Sequence, residues 1–140
     1  MSMQQLSLVT LTIHEMERSR RFYGEGFGWM TVYESSEVLF FQMNGVVLGL
    51  WMAGPMVEDI GRPDGQSNGF ALAHNVPSPQ DVDALVLRLA DHGGTVLREP
   101  AEPPHGGRRA YVCDPDMHAW EIAWNPAWRI DNEGRVTFGT

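Results

Sequence analysis

Lysine is missing from this sequence, and cysteine nearly so. The 140 residues carry ten basic side chains, all of them arginine, against 18 acidic ones, for a formal net charge of −8. Without lysine there is no Schiff-base chemistry. So acidic a chain also lacks the basic stripe by which proteins grip nucleic-acid phosphates. The single cysteine, Cys113, excludes an internal disulfide framework and makes a reducing cytoplasm the expected compartment. Apolar runs fall short of the roughly 18–20 residues that cross a membrane. The opening MSMQQLSLV has neither the basic region nor the apolar core of a signal peptide. No phosphate-binding loop, Gly-x-Gly-x-x-Gly pattern or Ser-His-Asp order is present. The expected protein is soluble, with no nucleic-acid or membrane partner. Its acidity either serves solubility or lines a groove for a cationic ligand.

What is there is a core: 43% of the residues are hydrophobic, and their periods are readable. LSLVTLTI, residues 6–13, alternates as a half-buried strand. HEMERSRRFYGEGFGW reads as a short helix with Glu17 and Arg21 as an i,i+4 pair, stopped by Gly24, Gly26 and Gly28. MTVYE is a strand. VLFFQM and VVLGLW flank Asn44-Gly45, the composition of a type I′ hairpin turn. A two-residue loop there pairs Gln42 with Val47, Phe40 with Gly49 and Val38 with Trp51. Alternation then sends Leu39, Phe41, Met43, Val46, Leu48 and Leu50 toward the helices. Val38, Phe40, Gln42, Val47, Gly49 and Trp51 take the other face.

Residues 52–68, rich in Gly and Pro without a period, read as a connector. Then the order begins again: a strand in GFALAHNV, and a helix capped by Ser78 with Pro79 at its first position and ended by Gly93-Gly94. Strands follow in TVLREP, RRAYVC and AWEIAW. Each half reads strand, helix, strand, strand, strand. The fold class is α+β, with two tandem βαβββ modules forming a curved mixed sheet around a cleft. Module one spans about residues 5–55, module two about 69–125, and a tail runs over 126–140. Halves of this size bury too little surface to stand alone, so a single domain over 1–140 with a shared core is expected.

Three stretches resemble the vicinal oxygen chelate superfamily of glyoxalases, bleomycin resistance proteins and extradiol dioxygenases. They are ERSRRFYGEGFGW after the first strand, VDALVLRLADHGGTVLREP, and the ending YVCDPDMHAWEIAWNP. The resemblance implies paired βαβββ modules, a homodimer, and a cleft whose divalent ion takes ligands from the first and fourth strand of each module. Carried over residue by residue, those positions fall on Leu8, Gly49, Ala71 and Glu121. Three of the four cannot ligate through a side chain, while a stable site needs three or four ligands. No cofactor is therefore expected, and a divalent metal is disfavoured.

Glu121 shares a face with Ala119 and Ala123, as Thr10 does with Leu8 and Thr12, and Asn75 with Ala71 and Ala73. The candidate ligand-binding residues are Thr10, Phe40, Gln42, Trp51, Asn75, Glu121 and His105, the last on the PPHGGRR loop. Glu121 is also the candidate catalytic acid or base, or counter-ion to a cationic ligand; alternatively it pairs with Arg108 or Arg109. His74 reads as a core histidine, His118 as a turn residue, and His14 and His92 as exposed groups flanking helices. Met117 stands where the family turn has glycine, which implies a positive φ. Two functions remain open: sequestration of a small molecule such as an antibiotic or toxic metabolite, and a lyase, isomerase or dioxygenase acting through Glu121. A scaffold with a filled cleft is a third.

Overall fold

The computed structural model describes residues 2–65 and 69–139. Strand β1 (Leu8–Ile13) is followed by a one-turn helix α1 (Met16–Ser19), which widens into a π-helical segment over Arg20–Gly26. Strands β2 (Thr31–Glu34), β3 (Val38–Gln42) and β4 (Val47–Met52) complete the first module, in the spatial order β1-β4-β3-β2. After helix α2 (Ala53–Ile60), the pattern recurs as β5 (Leu72–Asn75), α3 (Pro79–Asp91), β6 (Thr95–Ala101), β7 (Arg108–Cys113) and β8 (Ala119–Trp124), ordered β5-β8-β7-β6. In each sheet the first strand pairs in parallel with the fourth and the remaining pairs are antiparallel. The fold is α+β with two four-stranded mixed sheets, as the periodicity implies.

The hairpin register is the expected one, with Gln42 opposite Val47, Phe40 opposite Gly49 and Val38 opposite Trp51. Leu39, Phe41, Leu48 and Leu50 are buried on the helix-packed face. The turn itself differs from the type I′ expectation. Gly45 has a φ of 81°, but Asn44 is not in the positive-φ region. The Asn44 amide instead donates to the Glu133 carbonyl at 2.8 Å, tying the turn to the tail.

Two further expectations change. Glu17 pairs with Arg20 at 2.9 Å, not with Arg21, whose guanidinium donates to the Asp91 carbonyl. The π-turns after Ser19 alter the spacing on which the i,i+4 pairing relied. The connector is not irregular throughout: Ala53–Ile60 is a helix, closed by Gly61 in the left-handed region at φ 80°. Residues 66–68 of that connector lie outside the described residues. The tail holds a small antiparallel pair, β9 (Arg129–Ile130) with β10 (Val136–Thr137).

One apolar core joins the modules. Leu11 and Ile13 from β1, Phe22 and Tyr23 from the π segment, Val82 and Leu89 from α3, and Val112, Trp120 and Ile122 from the second sheet belong to the same buried cluster. A polar thread crosses it. The Trp120 indole donates to Tyr23 Oη at 3.0 Å, and that hydroxyl donates to Asp114 Oδ2 at 2.6 Å. Asp114 also accepts from the backbone N–H groups of Asp116 and His118, fixing the turn between β7 and β8. Burial together with the neighbouring Asp114 pushes the Tyr23 hydroxyl well above its usual pKa, so it remains a donor.

Candidate functional site

Because one face of each sheet is committed to the shared core, the opposite faces carry the candidate residues. On the first sheet Thr10 lies beside Gly49 and Thr12 beside Trp51. On the second, Glu121 sits between Ala73 of β5 and Tyr111 of β7. Its carboxylate takes a hydrogen bond from the Tyr111 hydroxyl at 3.2 Å. Burial and the facing Glu121 raise the Tyr111 pKa. Neither of the arginines expected as alternative partners fills that role. Arg108 forks onto Asp83 of α3, with bonds of 2.9 and 3.2 Å. Arg109 is buried, and its NH1 has no hydrogen-bond partner.

The four positions that the resemblance assigns to a metal are symmetric between modules. Gly49 is registered with Thr10 and Glu121 with Ala73, so Leu8 and Ala71 each precede the registered residue by two. The chemistry there does not fit a divalent ion. A β-carbon built on Gly49 would meet Phe40 Cε1 at 3.1 Å and Leu8 Cδ1 at 3.3 Å. Hydrocarbon therefore stands where the first module would offer donors, and Ala71 adds none. Among the described residues, no group of three His, Cys, Asp or Glu side chains is disposed to hold a metal.

The seven candidate ligand-binding residues do not converge on one cavity. Gln42 and Asn75 line a cavity of about 890 Å³, together with Trp29, His74 and the tail residues Asp131–Gly134. Desolvation lowers the His74 pKa, and its ring packs edge-on against Phe27 and Trp29, in keeping with a core histidine. Thr10, Phe40, Trp51, Glu121 and His105 line neither this cavity nor the next one. His105 is exposed on its loop.

A second cavity, of about 410 Å³, lies between the end of β1, helix α2 and the β7–β8 turn. Sequence reasoning missed it. His14, expected to be exposed, is so, but it stands between two aspartates. Its Nε2 is 2.6 Å from Asp64 Oδ2 and its Nδ1 is 2.7 Å from Asp116 Oδ1. Those hydrogen bonds, Asp64 first, raise the His14 pKa, and the same contact lowers that of Asp64. Met117, at φ 71°, is the one non-glycine residue with positive φ among the described residues, and it lines this cavity. No local pattern could have shown the His14 cluster, since its partners lie 50 and 102 positions away.

Residues 5–122 match the model of the Glyoxalase/Bleomycin resistance protein/Dioxygenase superfamily. The chain belongs to that superfamily. Its fold is similar to the crystal structure of a glyoxalase-related enzyme from Fulvimarina pelagi, at 49% identity, a TM-score of 0.95, and coverage of 99% of this chain and 100% of that one. Metallothiol transferase FosB of Lysinibacillus sphaericus is 25% identical over 87% of this chain and 83% of its own length. Lactoylglutathione lyase GLX1 of Arabidopsis thaliana is 30% identical over 81% of this chain; the matched region covers 42% of that lyase. Superfamily membership accounts for the paired modules. No helix among the described residues is long and apolar enough to cross a membrane.

Proposed function

We propose that this superfamily member binds a small organic molecule on its open sheet faces, as a homodimer in the cytoplasm, without the divalent ion of its metal-dependent relatives. Sequestration of that molecule, such as an antibiotic or a toxic metabolite, is the role that follows. The carrying observation is the contact of Leu8 and Phe40 over Gly49, which leaves Glu121 as the one ligating side chain at the four positions. The test is to titrate Zn²⁺, Ni²⁺, Mn²⁺ and Fe²⁺ while following thermal unfolding of the wild type and Glu121→Gln, since an ion that binds only the folded state raises its melting temperature. No metal-specific rise is expected. A rise in the wild type that disappears in Glu121→Gln would sink this reading.

A second reading draws on the Tyr111–Glu121 hydrogen bond. A carboxylate and a phenol in contact can pass a proton between them, as a lyase or isomerase would require. Turnover of any small substrate that survives metal chelation but falls at least tenfold in both Tyr111→Phe and Glu121→Gln would favour it. Sedimentation at the 15.7 kDa monomer mass would count against the dimer.

A further inference from the structure

The cavity beside His14 contains none of the seven candidate residues and meets the sheet faces only at Thr12 and Ala119. The buried polar atoms Arg18 Nε and Asp116 Oδ2 beside it lack a hydrogen-bond partner. Asp116 has a fully buried side chain. Its Oδ1 is crowded, accepting from the His14 backbone N–H at 3.0 Å, from Arg18 at 2.7 Å and from the His14 ring. Its Oδ2 has no partner. A buried carboxylate oxygen without a donor costs the folded state about 1–3 kcal/mol unless something meets it.

Both nitrogens of the His14 ring face carboxylate oxygens, and only the doubly protonated ring can donate to both. The contact is therefore a cation held between two anions. When the ring loses a proton, one link must fail. The Asp116 link is reinforced by the backbone and by Arg18, so it is the Asp64 link that turns from a bond into a lone-pair contact. The ring is half exposed, so it can swing outward without disturbing the core. Asp64 and Asp116 are then two carboxylates in need of N–H donors, at the edge of a cavity whose volume suits a small ligand.

The rest of the lining sets the other half of the ligand. Helix α2 contributes Met56, Val57 and Ile60, all apolar, and Phe70 and Met117 extend that surface. Thr12 is occupied, its hydroxyl directed at Met56 Sδ at 3.0 Å. His118 is committed through Nδ1 to Asp114 at 2.8 Å. The charged and titratable groups around His14 are Asp64 and Arg62 on the connector, Asp116 and His118 on the turn, Arg18 on α1 and Glu15 just before it.

We propose that this cavity is a binding site for a small primary ammonium on an apolar body, which displaces the His14 ring and donates to Asp64 and Asp116 in its place. The ammonium supplies the same charge as the imidazolium, with a third N–H for Asp116 Oδ2. Proton and ligand compete, so affinity rises by up to about tenfold per pH unit while His14 is protonated and levels off above its titration.

The probe is benzylamine, with benzyl alcohol and benzoate as neutral and anionic counterparts, measured by isothermal titration from mildly acidic to mildly alkaline pH. Benzylamine is expected to bind at least tenfold more tightly than either counterpart, and more tightly as pH rises. Asp116→Asn should weaken it at least tenfold. His14→Gln should retain binding and lose the pH dependence. If Asp116→Asn does not fold, Asp64→Asn, altered on the connector, takes its place with a several-fold loss expected. Equal binding of the three probes, affinity that falls with pH, no loss in the aspartate variants, or no binding of benzylamine at any pH would each overturn the proposal. Because none of these variants touches the open sheet faces, the outcome is independent of the metal titration.

Discussion

Tyr23 and Asp114, 91 positions apart, are joined by a 2.6 Å hydrogen bond in the middle of the core. Both side chains are buried, and the bond is one of several that satisfy them. The hydroxyl also accepts from Trp120, and the carboxylate holds the turn that carries Asp116 and His118. The bond thus couples the first module's helix to the second module's turn.

Tyr23→Phe leaves the Trp120 indole without its acceptor and removes one of the two groups on Asp114 Oδ2, His118 Nδ1 being the other, with little change in packing volume. A loss of about 1–3 kcal/mol is expected, read as a lower urea midpoint at unchanged slope. A midpoint equal to the wild type would mean that the thread contributes nothing.

Glycine is required at position 94 by space. A β-carbon there would stand 2.8 Å from the Leu89 carbonyl and from Val112, and 2.9 Å from Phe22. Gly94→Ala should cost about 1–3 kcal/mol by overpacking. Gly54, in α2, is the control, because a β-carbon added there would meet nothing within 4 Å. Gly54→Ala should be neutral or stabilising by up to about 1 kcal/mol. Thermal unfolding of the two variants side by side decides.

Met117 holds a φ of 71° with its side chain exposed. Left-handed backbone costs a non-glycine residue roughly 1–2 kcal/mol, and glycine returns part of that through a more flexible unfolded chain. Met117→Gly is expected to raise the melting temperature slightly. A lower value would show that the methionine side chain contributes more by contact than its backbone costs.

The His14 cluster gives stability a pH window. The His14 pKa is raised on folding, so its contribution is complete below its unfolded value of 6.5 and is lost as pH climbs through the folded value. The Asp64 pKa is lowered, so its contribution is present above 3.8 and is lost as pH falls through the folded value. The wild type should therefore lose stability relative to His14→Gln as pH rises from mildly acidic to alkaline. Parallel pH profiles would count against the cluster.

Much of the fold is legible in the sequence. The Asn44-Gly45 loop sets a register that the sheet adopts pair for pair, because a two-residue loop leaves no freedom and every side chain's face follows from it. The cap at Ser78, accepting from the Asp81 backbone N–H at 3.2 Å, is equally local. Helix α2 is hidden by Gly54 and Pro55, residues that usually break helices. A proline in the first turn has no N–H to lose, so the helix forms despite it. Tyr111 beside Glu121 is hidden because the β7–β8 turn is longer than two residues, and alternation alone cannot set its register. Arg109, on the strand beside Glu121, is a natural partner for it by sequence; its NH1 instead stands without one, a choice among side-chain rotamers that no sequence pattern records.

The parallel pairs at the heart of each sheet also bear on how quickly the chain can find this arrangement. Leu8 meets Val47 across 39 positions (47 − 8), and Leu72 meets Trp120 across 48 (120 − 72). By contrast, β3 and β4 are neighbours through a tight loop and can zip at once. Closing a long loop costs entropy before its contacts return anything, and chains dominated by such pairings fold in milliseconds to seconds. The hairpins should therefore form early in each module, with the first strand arriving last. Until it does, β4 and β8 expose unpaired edges, and in that interval a nascent chain would be most open to pairing with a neighbour.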